Sequence, residues 1–309
     1  MTTTPLVSII ALCYNQEKFI EETLNSIKDQ TYQNIQLIIA DDCSSDTSVE
    51  VIKKWISTNN YDCEFIIHQE NRGICKTLNE ALLKVKGEFY HAIACDDIML
   101  KDKIKVQTEI LSKSDNNVAM VYSDAYLIDD NGNQYDSRFI QRHRPRLLNF
   151  PSGNIFVDLA ESNFIPAMGN LIKTKCVRKI GGYDERLTYE DYDMWLRISK
   201  KYEIVYSDYV SVKYRLHSNN MHRSKLFNIN RTLNNIRIYK KHLNNEVIYS
   251  KFMDCLESVY LRNDFDNAIT FIPLLKKNDK VLKVFIKYKL PSFIYRLINF
   301  IKNRLNVIK

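Results

Sequence analysis

IQLIIADDCSSD (residues 35–46) and GEFYHAIACDD (residues 87–97) are built alike: a short apolar run closes on two adjacent aspartates. A short apolar run bounded by turn residues reads as a buried β-strand. The spacing predicts strands over Ile35–Ala40 and Glu88–Ala94, with Asp41-Asp42 and Asp96-Asp97 just past their ends. Val7–Leu12 reads as a first strand, interrupted at Tyr14-Asn15. Phe19, Ile20, Thr23, Leu24 and Ile27 recur at helical spacing and predict a helix from Glu17 to Asp29. Further helices are predicted over Thr47–Ser57 and Lys76–Lys84, a strand over Glu64–His68, and a loop at Asn71-Arg72-Gly73. Strands alternating with helices imply parallel βαβ units with right-handed crossovers. Ligands bind such sheets beyond the carboxyl ends of the strands. One aspartate pair there is an ordinary turn or helix cap. Two pairs at the same edge point to a site.

Past residue 100 the pattern loosens. A helix is predicted over Leu100–Ser112, a strand over Val118–Tyr122, a mobile loop over 130–153 and a partly extended segment over 163–173. Gly181-Gly182 precedes a helix predicted over Tyr189–Lys200, and from about Ser224 the chain reads as helical. The expected organisation is an α/β domain, residues 1–220, with a mostly parallel sheet flanked by helices, followed by a helical basic region, 221–309.

Of the 309 residues 45% are apolar and 26% charged, which excludes a disordered or fibrous class. Seven scattered cysteines without a Cys-x-x-Cys pair suggest neither a disulfide frame nor a zinc site. No apolar run reaches the ~18 residues of a spanning helix. The N-terminal residues lack the regions of a signal peptide. A cytoplasmic location is expected. The net charge of +7 is uneven: residues 276–309 carry ten Lys and Arg against one acid, leaving 34 against 36 elsewhere. Basicity confined to the tail argues against nucleic acid as a partner of the α/β domain.

Three stretches carry a resemblance: PLVSIIALCYNQEKFIEETLNSIKDQTYQNIQLIIADDCSSDTS, NRGICKTLNEALLKVKGEFYHAIACDDIMLKDK and GNLIKTKCVRKIGGYDERLTYEDYDMWLRI. In this order they resemble the inverting family 2 glycosyltransferases, over roughly residues 5–220. The resemblance implies a GT-A-like fold, a nucleotide-sugar donor such as a UDP-sugar, and a divalent cation, Mn²⁺ or Mg²⁺. It implies a saccharide or undecaprenyl-diphosphate-linked acceptor, in the synthesis of a bacterial surface polysaccharide such as O-antigen or capsule.

The resemblance also implies roles. Asp42, with Asp41 beside it, accepts the imide N–H of the donor base, as an ionised, acceptor-only carboxylate can. The competing reading is an Asx turn and helix cap. Tyr14, Asn15, Arg72, Gly73 and Asn79 belong to segments that approach the nucleotide. Relatives carry an Arg where Leu78 stands, so that contact does not carry over. The family's Asp-x-Asp motif reads Ala94-Cys95-Asp96, with Asp97 after it on the nucleotide side. Asp96 takes the place of the metal-binding acid, and the first acid is missing. A hard cation favours carboxylate oxygen and neutralises the leaving diphosphate. His217, in YRLHSNN, matches a histidine that completes the metal shell; its alternative is a satisfied core histidine. Asp191, with Glu190, matches the general base that deprotonates the acceptor hydroxyl. An acid at a helix N-terminus is equally favoured by the helix dipole.

In the tail, Phe293, Ile294, Leu297, Ile298, Ile301 and Leu305 share one helical face, with Arg296, Lys302 and Arg304 largely elsewhere. Two readings stay open: a peripheral amphipathic helix on the anionic inner face of the cytoplasmic membrane, or a helix packed on the protein. Among rivals, a nucleotidyltransferase or a dinucleotide-binding dehydrogenase needs a glycine-rich loop after the first strand, where Cys13-Tyr14-Asn15-Gln16 stands. The remaining alternative is a non-catalytic sugar-binding or scaffold protein on a degenerate GT-A fold, favoured only by Ala94.

Overall fold

In the computed structural model, residues 4–147, 149–218, 220 and 225–298 are described. The chain forms two compact units, Met1–Asn220 and Met221–Lys309.

The first unit is built on β1 (Val7–Cys13), β2 (Ile35–Asp41), β3 (Cys63–Ile67), β4 (Phe89–Ala94), β5 (Ile98–Met99), β6 (Val118–Ile128), β7 (Gln134–Arg138), β8 (Asn170–Lys173) and β9 (Glu203–Arg215). They make one sheet in the order β3-β2-β1-β4-β8-β6-β9-β5, with β7 paired to β6. β3, β2, β1 and β4 are parallel. Beyond β4 the sheet is mixed: β8 runs antiparallel to both neighbours, while β6 and β9 are parallel.

The parallel half forms as the sequence predicts because its strands are apolar and their crossover helices amphipathic. α1 (Ile20–Lys28) and α2 (Ser48–Asn59) pack Ile20, Leu24, Ile27, Ile52 and Trp55 against Val7, Ile9 and Ala11 of β1. Burying one such aliphatic side chain contributes roughly 1.5–3 kcal/mol. α3 (Ile74–Lys84) starts at Gly73, whose φ of +82° suits a residue without Cβ. α4 (Lys103–Lys113) opens the mixed half. There the fully buried Lys103 donates to Gln107 Oε1 (2.8 Å) and the Asn170 carbonyl (2.9 Å), and burial pushes its ammonium well below the usual range.

Two expectations give way. The 13-residue β9 lies where no strand is expected. It pairs with β6 through register shifts between Val118/Met120 and Ser123/Ala125. Those shifts break the alternation of buried and exposed residues that would announce a strand. The loop expected over 130–153 instead contains β7 and α5 (Phe139–His143). The Ile140 N–H donates to Asp124 (2.9 Å), and Tyr122 donates its hydroxyl to the Pro151 carbonyl (2.7 Å). The order comes from β6, not from the segment itself. α6 (Phe156–Glu161), α7 (Thr174–Ile180) and α8 (Asp191–Ser199) complete the unit.

The second unit is helical: α9 (Lys225–Tyr239), α10 (Glu246–Leu261), α11 (Phe265–Ile269), α12 (Lys280–Lys287) and a helical turn over 292–298. Tyr260, Phe285 and Tyr295 meet edge to face, with ring centroids 5.4–6.3 Å apart. Among the described residues no helix is long and apolar enough to cross a membrane.

At Gly87 a Cβ would sit 2.6 Å from the Ser8 nitrogen and the Phe89 carbonyl oxygen, both backbone atoms. Gly87→Ala should therefore destabilise the protein by about 1–3 kcal/mol. Thermal unfolding followed by circular dichroism checks this, and an unchanged midpoint would contradict the fit described.

Candidate active site

The site starts from hydrogen bonds at the end of β1. Cys13 pairs with Asp41 on β2, and Leu12 with Ala94 on β4. The ladder runs one residue further on each side: Asp42 N–H donates to the Cys13 carbonyl (2.9 Å), and Cys95 N–H to that of Leu12 (2.9 Å). Both acidic pairs are thus held at one sheet edge on either side of β1. Neighbouring strands lie ~4.8 Å apart, so the two turns are roughly 10 Å apart.

The two members of each pair have different fates. Asp41 is buried and accepts from the Ser44 N–H (2.9 Å) and hydroxyl (2.5 Å), so it shapes the turn. Asp42 faces the next loop. Its Oδ1 accepts from His68 Nδ1 (2.8 Å) and the Arg72 N–H (2.8 Å), and its Oδ2 from the Gly73 N–H (2.8 Å). Burial pushes this carboxyl up, but the donors from Arg72, His68 and Gly73 outweigh it and hold it below the usual range. Asn15, at φ +55°, accepts from the Ser45 N–H (2.8 Å) and ties the loop after β1 to the loop after β2. Tyr14 stands 49% exposed beside it.

In the second pair Asp97 turns inward. It is fully buried and accepts from the Arg215 N–H (3.0 Å); burial, then the Asp96 charge, push its carboxyl well up. One oxygen of Asp97, the residue expected on the nucleotide side, is thus engaged by the protein backbone. Asp96 faces His217, with its Oδ2 2.9 Å from Nε2, while its buried Oδ1 has no protein partner. The expected metal pair is therefore together and carries an unused oxygen. Among the described residues no group of three or more His, Cys, Asp or Glu side chains is placed to hold a metal. The pair fits a cation whose other ligands come from outside the protein.

Asn79 is engaged elsewhere: it accepts from the Tyr183 N–H (2.8 Å) and donates to the Tyr183 carbonyl (3.0 Å) and Glu185 (2.9 Å). It fastens α3 to the segment before α8 instead of presenting its amide to a nucleotide. Arg72 pairs with Glu80 (2.9 Å) and is half exposed. Leu78, where relatives carry Arg, is fully buried.

Glu190 and Asp191 begin α8, and both are partly accessible. Asp191 Oδ1 accepts from the Tyr192 N–H (2.6 Å) and Oδ2 from Asn163 Nδ2 (2.8 Å). Desolvation raises both carboxyls, and the neighbouring Asp191 charge helps to push Glu190 up to about 8. The two adjacent carboxyls thus both hold a proton more tightly than free ones.

Sequence reading does not find three residues that hold this site. His68 ends the third strand at the ligand-bearing edge, a position that could have flagged it. Asn163 lies in an irregular segment without any signal. Arg215 is two residues before His217, and its guanidinium is almost completely buried. It donates to the carbonyls of Asp96 (3.0 Å), Asp129 (3.2 Å) and Asp130 (3.3 Å), pairs with Glu22, and lies 4.6 Å over the Phe19 ring.

The site stands at the edge of a parallel sheet that turns mixed. The family model "Glycosyl transferase family 2" matches residues 8–177, and the chain belongs to that family. It is 32% identical over 215 residues to an uncharacterized glycosyltransferase of Rickettsia felis, covering 69% of this chain and 35% of that protein. An uncharacterized glycosyltransferase of Rickettsia typhi is also 32% identical, over 70% of this chain and 65% of its own length. The chain thus spans about a third to two thirds of these relatives. TuaG of Bacillus subtilis, a glycosyltransferase assigned to teichuronic acid biosynthesis, is 27% identical over 72% of this chain and 83% of its own. Among solved structures, Staphylococcus aureus TarS superposes with a TM-score of 0.62 at 17% identity, over 92% of this chain and 53% of TarS. The mannosyltransferase PcManGT of Pyrobaculum calidifontis, in complex with GDP-Man and Mn²⁺, gives 0.59 at 18%, over 88% and 75%. These structures share the GT-A-like fold.

The raised Glu190 carboxyl sets a direction for stability. A folded value above the ordinary 4.5 means stability is fully present below about pH 4.5 and declines as pH rises toward 8. Glu190→Gln should remove this part of the decline. Denaturant unfolding at pH 5, 7 and 9 tests it; parallel curves for the two proteins would contradict the shift.

Proposed function

We propose that the chain transfers a sugar, with inversion, from a UDP-sugar to a saccharide or lipid-linked saccharide in bacterial surface-polysaccharide synthesis. The observation that carries this reading is Asp96, with one buried free oxygen and His217 at 2.9 Å, at the same sheet edge as Asp42. TarS solved with UDP-GlcNAc and TuaG's assigned pathway support the donor and the setting.

The chemistry follows from the residues. Asp42 accepts the imide N–H of the base, and Tyr14 offers an exposed ring beside it. Asp96 and His217 would hold a divalent cation, which when bound neutralises charge on the leaving diphosphate. Asp191 accepts the proton of the acceptor hydroxyl as that oxygen bonds to the anomeric carbon. The glycosidic bond to the diphosphate breaks, and its electron pair leaves with the nucleoside diphosphate. One displacement inverts the anomeric centre. Asn163 keeps the Asp191 carboxylate oriented, and Arg215 fixes the turn that carries Asp96. The scaffold alternative rests on Ala94, which stands exposed where relatives place an acid; the intact Asp96, His217 and Asp191 favour catalysis.

The second unit supports a place at an anionic membrane surface. Tyr295 is the residue of its turn that packs inward, while Phe293, Leu297, Tyr288 and Val284 are 69, 57, 62 and 44% exposed. Lys280, Lys283, Lys287, Lys289 and Arg296 are exposed among them. Apolar side chains ringed by cations match an interface of acyl chains under anionic headgroups. Ile301 and Leu305 lie outside the described residues.

Incubation with a panel of nucleotide sugars, reading released nucleoside diphosphate, tests the reaction. UDP-sugars should turn over with Mn²⁺ or Mg²⁺ and stop with EDTA. Asp191→Asn should lower kcat by about 10²–10⁴-fold, and wild-type rates in that variant would sink the base role. The protein should sediment with vesicles containing phosphatidylglycerol, and much less with phosphatidylcholine alone. Phe293→Glu/Leu297→Glu should abolish that association; equal sedimentation of both proteins would remove the membrane role.

A further inference from the structure

Asp42 is not an open carboxylate. Oδ1 already accepts two donors, His68 Nδ1–H and the Arg72 N–H, both at 2.8 Å. A carboxylate oxygen has about two lone-pair sites, so Oδ1 is filled. Oδ2 accepts the Gly73 N–H at 2.8 Å, and its second lone pair remains. The Thr77 hydroxyl also lies near enough to this carboxyl to lower it, but its single proton is directed to the Gly73 carbonyl (3.1 Å).

His68 is itself held from behind. It is buried, and its Nε2 lies 3.2 Å from Glu80 Oε2, which also accepts from Arg72 (2.9 Å). An ionised Asp42 supplies no proton, so the ring must donate from Nδ1. A ring that carries protons on both nitrogens also donates from Nε2 to Glu80, which keeps Nδ1 turned toward Asp42.

This arrangement bears on which base Asp42 can read. Cytosine and adenine present a bare ring-nitrogen lone pair toward an ionised carboxylate, and are repelled. Uracil presents one imide N–H. Guanine presents two parallel N–H groups, which need both carboxylate oxygens. We infer that His68 is a positioning residue that sets nucleobase selectivity, because filling Asp42 Oδ1 leaves one acceptor site, enough for uracil and too few for guanine. The inference rests on the reading of Asp42 as the base contact.

The test is calorimetric titration of the full chain with UDP and with GDP. The wild type should favour UDP. His68→Val frees a lone pair on Oδ1, so the ratio of UDP to GDP affinity should fall by about tenfold. His68→Asn, whose amide can donate to the same oxygen, should restore most of it. Glu80→Ala, a half-exposed site that leaves the core intact, should move the ratio the same way by a smaller factor. A general loosening of the site would weaken both nucleotides equally and leave the ratio alone. An unchanged ratio in folded His68→Val, or in Glu80→Ala should the first variant not fold, overturns the inference. Failure of the underlying reading looks different: Asp42→Ala would then bind UDP as tightly as the wild type.

Discussion

Two carbonyls at the end of β1 organise the active site. Leu12 and Cys13 each accept one N–H from the turn beyond a neighbouring strand, at 2.9 Å. Because β2 and β4 run parallel to β1, their carboxyl ends meet at one edge, and these bonds carry the pairing into the turns. The backbone of each aspartate pair is thereby fixed before any side chain chooses a direction. Within each pair, successive residues then face different ways. Asp41 and Asp97 bind the protein's own backbone, while Asp42 and Asp96 remain turned toward the edge.

Burying a cation costs several kcal/mol unless its donors are satisfied. Arg215 meets that condition with three carbonyls, Glu22 and the face of Phe19. The result is a rigid joint between α1, the Asp96 turn and the ends of β6 and β9. His217 follows two residues later and so reaches Asp96. The Asp96–His217 pair therefore depends on the buried Arg215.

The carboxylates of the site are tuned in opposite directions by the same means. Asp42 has enough N–H donors to outweigh its burial and is held ionised. Glu190 lacks them and sits beside another acid, so burial prevails and its carboxyl rises to about 8. Asp191 is raised by burial against the pull of its donors Tyr192 and Asn163. Sites that divide binding and base roles among carboxylates need such separation.

How much of this was legible in the sequence follows the range of the forces involved. Apolar runs and 3.6-residue periodicity are local, so the parallel half of the sheet, its crossover helices and the edge carrying both aspartate pairs could be read directly. The motif order also drew attention to Asp96 and His217, which the structure brings to 2.9 Å, and to Asp191 at the start of α8. What the sequence could not show depends on residues distant along the chain. β9 is a strand because β6 accepts it despite broken register, and β7 and α5 are ordered through Asp124 on β6. Asp97 and Asn79, expected at the nucleotide, make hydrogen bonds to Arg215 and Tyr183, and His68 holds Asp42 from across a loop. By itself the sequence determined the parallel half of the sheet, the edge that carries both aspartate pairs and the family. The tertiary structure decided which carboxylate oxygens remain unpaired there, because hydrogen-bond capacity is consumed by neighbours that only folding brings together.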